Sequence, residues 1–129
     1  MQSSTESAAV IQDRVRWDSR YRGGAYSQRP WPSEFVRQSL PRIAQTTLVA
    51  DNGANPLPQA LDVACGRGRN SLFLAEHGYR VHGVDVSPVA LAYGATIGAV
   101  NGMPISWQCR DLMGADVEFP QSQYQLIIL

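Results

Sequence analysis

The residues able to do chemistry fall between Ala60 and Pro88, in Ala60-Leu-Asp-Val-Ala-Cys-Gly-Arg-Gly-Arg-Asn70, Ser71-Leu-Phe-Leu-Ala-Glu-His-Gly78 and Tyr79-Arg-Val-His-Gly-Val-Asp-Val-Ser-Pro88. An apolar run ends in a glycine loop with Gly66 and Gly68, where the chain can turn sharply and bring backbone close to a ligand. A helix opening near Arg69 or Asn70 would aim unpaired N–H groups at that turn. Asp85 lies 19 residues past Gly66, and an acid about 20 residues beyond a glycine turn is placed to hold a ribose diol. The chemistry on offer is therefore recognition of a nucleoside-containing ligand.

Two ligand classes fit this outline. A dinucleotide loop asks for a third glycine, so that helix and strand can pack closely, but Ser71 stands in that place. What remains is Asp62-x-Ala64-x-Gly66-x-Gly68, with an acid ahead of the loop. This run resembles motif I of the class I S-adenosylmethionine-dependent methyltransferases, and Val84-Asp85-Val86-Ser87-Pro88 resembles their second motif. The resemblance implies a methyltransferase whose cofactor is S-adenosylmethionine, bound at Asp62, Ala64, Cys65, Gly66, Gly68 and Asn70 in the first motif and at Asp85 and Val86 in the second. Gly66 and Gly68 would approach the methionine and ribose, Asp85 would hold the diol, and Asp62 would fix the loop or meet the ammonium group through water. The resemblance also implies that Asp111, with Leu112, frames the adenine; the other reading of Asp111 is a solvated turn residue.

The elements that must position these groups follow from periodicity and turn chemistry. Strands are expected at Ala60–Ala64, Tyr79–Val86, Ile105–Cys109 and Tyr124–Leu129, with a polar loop over Gly114–Gln123. The first helix should end at His77 and Gly78, and the second should start at Ser87-Pro88 and stop near Asn101-Gly102. Gly94 and Gly98 within the second helix are read as allowing close packing on the sheet. Right-handed crossovers then predict an α/β, Rossmann-like open parallel sheet of order 3-2-1-4, with the ligand crevice at the carboxyl end of the first strand. The methyltransferase domain it resembles continues with further strands, so the chain is expected to be truncated after the fourth, leaving a sheet edge for a partner chain to complete. It also has Gln125 where those relatives carry an aspartate.

Ahead of the sheet, residues 1–9 read as a disordered leader, 10–50 as a helical segment and 51–58 as a linker, with the cofactor domain over 59–129. A loose helical face spans Val10–Trp17, and Trp17–Tyr26 reads as a glycine-broken, aromatic-rich loop. Those aromatics would either pack on the domain or touch a ligand. A short helix over Glu34–Leu40, capped by Ser33, should stop before Pro41, with a second helical stretch over Pro41–Ala50. Trp17-x-x-Arg20-Tyr21 with Tyr26, Pro30, Pro32 and Phe35 resembles the N-terminal segment of the tellurite-resistance and thiopurine-type small-molecule methyltransferases, which implies a lid over the cofactor carrying Tyr21, Arg22 and Tyr26.

Composition bounds the partners. The formal net charge is zero, which offers no electrostatic footprint for nucleic acid or an acidic membrane. All eleven basic residues are arginine, a bias read as base composition rather than anion recognition. Cys65 and Cys109 are too few for a zinc or redox pattern; both are expected in buried strand ends, and a reducing cytoplasm is the expected compartment. The N-terminus lacks a signal-peptide pattern, and no metal site is expected. His77 reads as a helix cap and His82 as a strand residue facing outward or packing on the sheet, so no catalytic base can be named. A small-molecule methyl acceptor, a thiol or chalcogen oxyanion, is what the resemblance implies. Two rival readings are a non-catalytic remnant that binds the cofactor or serves in assembly, and an NAD(P)-binding oxidoreductase fragment.

Overall fold

The computed structural model of the 129-residue chain describes residues 7–24, 32–49, 57–112 and 124–129. In chain order the elements are α1 (Ala8–Arg22), α2 (Glu34–Val49), β1 (Gln59–Val63), α3 (Arg69–Glu76), β2 (Arg80–Asp85), α4 (Pro88–Val100), β3 (Ile105–Cys109) and β4 (Leu126–Ile128). The four strands are parallel and ordered β3-β2-β1-β4, the order that right-handed crossovers require.

Strand register decides what lies beside what. Ala60 pairs with Val81 and Leu126, and Asp62 with Gly83 and Ile128, so these positions share one face of the sheet. On that face Ala60, Val81, Leu74, Tyr79 and Leu40 form a buried cluster, flanked by Phe73, Ile105 and Leu126. The helix ends are built as expected: Ser87 Oγ accepts from Ala90 N–H ahead of Pro88, and His77 caps α3 with its Nδ1 on Phe73 O. Gln125 extends the β1–β4 pairing, because its side-chain oxygen accepts from Gln59 N–H (2.6 Å) while its own N–H donates to Gln59 O.

The glycines of this layer form a slot. A Cβ on Gly68 would stand 2.4 Å from Trp107 Cη2, one on Gly94 2.6 Å from the same atom, and one on Gly83 3.1 Å from Trp107 Cε3. The Trp107 indole on β3 therefore fills space vacated by the loop, by α4 and by β2, so the packing role of Gly94 extends to Gly68 and Gly83.

Several expectations are corrected. The aromatic stretch from Trp17 to Arg22 is helical rather than a loop, because α1 continues to Gly23, whose N–H closes on Ser19 O and Tyr21 O. The same helix starts at Ala8, inside the expected leader, since Ser7 Oγ caps Val10 N–H (3.3 Å). Helix α2 does not stop before Pro41 but runs through it. The buried side chains of Val36 and Leu40 hold the preceding turns on the domain, and this packing overrides the local penalty of proline. Cys109 is exposed rather than buried, because β3 is an edge strand. The expected leader residues 1–6, the linker residues 51–56 and the whole 114–123 loop, with Tyr26, lie outside the described residues.

Candidate functional site

The loop after β1 has its shape imposed by backbone conformation. Ala64 (φ 56°), Gly66 (φ 58°) and Gly68 (φ 82°) all lie in the left-handed region, which costs a non-glycine residue such as Ala64 about 1 kcal/mol. Such an outlier persists where its surroundings dictate it. Here Cys65 N–H donates to Val84 O and Gly68 N–H to Cys65 O, tying the turn to β2 and to itself. Gly68 then caps α3 without a side-chain bond.

Two buried carboxylates stand beneath this loop. Asp85, at the end of β2, accepts from Gly66 N–H on Oδ2 and from Ser87 N–H on Oδ1, each at 2.9 Å. One side chain thus fixes the glycine turn and the β2–α4 turn together. Each oxygen keeps acceptor capacity for a further donor. Asp62 accepts from Ser71 Oγ at 2.6 Å, which binds the end of β1 to the first turn of α3. Burial pushes the Asp62 carboxyl up from 3.8 to about 6, against the lowering effect of the Ser71 bonds. Burial, with the negative charges of Asp62 and Asp85, likewise raises the Cys65 thiol, so it stays protonated and is no nucleophile.

The Asp62 shift has a definite sign in stability. Between pH 3.8 and 6 the folded chain holds a proton that the unfolded chain releases. Stability is therefore fully present below the lower value and falls as pH rises through the window, by roughly 3 kcal/mol in all. Urea titrations at pH 4.5 and pH 7.5 should show about 2 kcal/mol of this fall, and Asp62→Asn should reduce it sharply. Equal pH dependence in native and variant chains would remove Asp62 as its source.

A cleft of 620 Å³ opens at the carboxyl ends of β1 and β4. Its floor is Asp62, Val63, Ala64, Cys65 and Gly66; Arg67, Arg69, Asn70 and Leu72 come from the loop and α3, Trp17 and Tyr21 from α1, and Ile97, Ile128 and Leu129 close the rim. Tyr21 is buried, and a Cβ on Gly66 would stand 2.7 Å from its hydroxyl. The ring thus lies over the turn, with no side chain between them.

Of the residues named from sequence, Asp62, Ala64, Cys65, Gly66, Asn70 and Tyr21 come together in this cleft. Asp85 joins them through its bond to Gly66. Val86 is outside the lining; its carbonyl accepts from Arg14 Nε and Cys109 Sγ. Gly68 is outside the lining, and a Cβ on it would meet the Trp107 ring. Asp111 and Leu112 follow β3, half-buried and outside the lining, and Arg22 is exposed in the last turn of α1. Asn70 has a second task, since its Oδ1 accepts from Ser33 N–H (2.9 Å).

Sequence reading missed Arg67 and Arg69 as lining residues, although both sit within the loop motif and could have been flagged on that ground. It also missed Ser71 and Asp18, whose partners lie 9 and 69 positions away and leave no local signal. Among the described residues no group of three or more His, Cys, Asp or Glu side chains could hold a metal ion.

A family model described as a methyltransferase domain matches residues 60–129, more than half of the chain. The chain belongs to the methyltransferase-domain family. The match begins at β1 and takes in the glycine loop, Asp85 and all four strands. This methyltransferase-domain chain is 37% identical over 101 residues to the ribosomal RNA small subunit methyltransferase C of Alcanivorax borkumensis, covering 76% of itself and 30% of that protein. It spans less than a third of the length of the curated relatives it matches. In fold it is similar to a structure concerned with conversion of a disulfide bond into a thioacetal group during echinomycin biosynthesis (TM-score 0.57, 24% identity, 77% of this chain and 39% of that one). It is also similar to the magnesium protoporphyrin IX methyltransferase of Synechocystis PCC 6803, solved with bound S-adenosylhomocysteine (TM-score 0.52, 22% identity, 80% of this chain and 52% of that one).

Proposed function

We propose that this chain is the cofactor-binding part of an S-adenosylmethionine-dependent methyltransferase acting on a small-molecule acceptor. The observation that carries the reading is the 2.9 Å bond between Gly66 N–H and Asp85, which unites the glycine turn and the acid at the crevice of a methyltransferase-family sheet. The residues fit the cofactor. A 620 Å³ cleft falls within the range of small-molecule sites, roughly 300–1,000 Å³. Asp85 has acceptor capacity for a ribose diol, and the bare Gly66 turn admits backbone contact beneath Tyr21.

S-adenosylmethionine, when bound, supplies a methyl group on a cationic sulfur already activated for displacement. The protein's share is then to align the acceptor and exclude water. The first turn of α3 presents N–H groups, Asp85 orients the ribose, and Trp17 and Tyr21 of α1 line the cleft. Asp111 and Leu112, just beyond β3, frame the adenine. Arg22, in the last turn of α1, belongs to the same lid in this reading. The acceptor belongs to the thiol or chalcogen-oxyanion class by resemblance, and zero net charge favours a small molecule over nucleic acid. In this reading the compartment is the reducing cytoplasm, where the two free thiols, Cys65 and Cys109, would persist.

Calorimetric titration with S-adenosylhomocysteine, with NAD in a parallel cell, tests the reading. Micromolar binding of the first and none of the second is expected. Binding of NAD alone would transfer the chain to the oxidoreductase reading.

A further inference from the structure

Helix α1 is held to the domain in an unusual way. Surface helices dock through an apolar stripe, but α1 leaves Ile11 (48% exposed) and Val15 (62% exposed) in solvent and buries only Asp18 and Tyr21, one turn apart. A buried carboxylate is tolerated only where it is hydrogen-bonded. Asp18 Oδ1 accepts from Ser87 Oγ and from Val89 N–H (3.4 Å), at the N-terminus of α4, where the helix dipole favours a negative charge. Ser87 faces the other way as well: its N–H donates to Asp85 Oδ1, and its Oγ accepts from Ala90 N–H. A continuous set of bonds therefore runs from α1 through Ser87 to the acid beneath the glycine turn. A second stitch, Arg14 Nε to Val86 O (3.4 Å), crosses the same turn.

We infer that Asp18 is a positioning residue of the cofactor site: by gripping Ser87 it clamps α1 across the β2–α4 turn, and so holds Tyr21 over Gly66 and sets the hydrogen-bond geometry of Asp85. The chain of contacts makes this specific. Rotation of α1 away from α4 breaks the Ser87 bond, withdraws Tyr21 from the turn one helical turn further on, and frees Ser87 to shift against Asp85. The consequence for affinity rests on the cofactor reading above, whereas the clamp itself does not.

Two readouts on the same variants separate these. Amide hydrogen exchange of the cofactor-free chain reports the clamp, and calorimetry with stopped-flow release of S-adenosylhomocysteine reports its effect on the site. In Asp18→Ala, exchange across Ala8–Arg22 should rise at least tenfold while β1 and β2 keep their native rates. The dissociation constant should rise at least tenfold, chiefly through faster release. Asp18→Asn keeps an oxygen in the position that accepts both bonds, and should remain within threefold of the native chain on both readouts. That rescue separates a hydrogen-bonded clamp from a bulk stability effect. Should Asp18→Ala fail to fold, Ser87→Ala removes the hydroxyl donor and should give the same two rises. Unchanged exchange in α1, or equal behaviour of the Ala and Asn variants, would overturn the proposal. If the Asp18 variants change α1 exchange as stated but the native chain binds no S-adenosylhomocysteine, the clamp is upheld and the cofactor reading is removed.

Discussion

Gly68→Ala is expected to lower the unfolding free energy by about 3 kcal/mol, an effect large enough to unfold a marginal domain. Two costs add. At φ 82° an L side chain is strained by about 1–2 kcal/mol. The new methyl carbon would also stand 2.4 Å and 2.7 Å from two atoms of the Trp107 ring, and forcing a rigid aromatic aside in a packed layer costs about 1–3 kcal/mol. Only the second cost depends on Trp107. In a Trp107→Leu background the same glycine substitution should cost only about 1–2 kcal/mol, because the slot is no longer filled. A double-mutant cycle by urea denaturation measures that difference. If Gly68→Ala costs the same in both backgrounds, Trp107 does not set the requirement for glycine.

The second large effect concerns Asp85. Its replacement by alanine should weaken S-adenosylhomocysteine at least 100-fold. A carboxylate accepting from two ribose hydroxyls makes charge-assisted bonds of about 1.5–3 kcal/mol each, and each 1.4 kcal/mol is tenfold in affinity. The same change leaves Gly66 N–H and Ser87 N–H without their shared acceptor, so the turn loses its shape as well as its ligand contact. Asp85→Asn should fare little better. Its amide nitrogen would face one of those two donors, and a donor cannot satisfy a donor. Calorimetry on samples shown to be folded by circular dichroism decides the matter; affinity within threefold of native for either variant would exclude Asp85 from the ribose site.

These effects show which features are local in sequence and which are not. The strand and helix boundaries around the glycine loop were legible because each signal lies within a few residues of its consequence. Ser87-Pro88 opens α4, His77 closes α3, a run of small and apolar residues makes β1, and a run with Val81 and Val84 makes β2. The order 3-2-1-4 followed from crossover handedness alone. That Asp85 would lie at the glycine turn was visible as a spacing, since one strand–helix–strand unit fixes their separation, while the bond from Gly66 N–H to its carboxylate came only with the fold.

What the sequence determined by itself, then, is the βα unit and the place of its acid relative to the glycine turn: periodicity, turn residues and one acid at a set distance are local facts, and backbone sterics act on them locally. Tertiary structure alone decided the rest. It made Trp17–Arg22 helical and carried α2 through Pro41, because burial of Tyr21, Val36 and Leu40 outweighs what glycines and proline prefer locally. It filled the space at Gly68 with an indole 39 residues away, and it bonded Asp18 to a serine 69 residues away. Contacts between such distant positions arise only when the layers pack, and no periodicity within either partner encodes them.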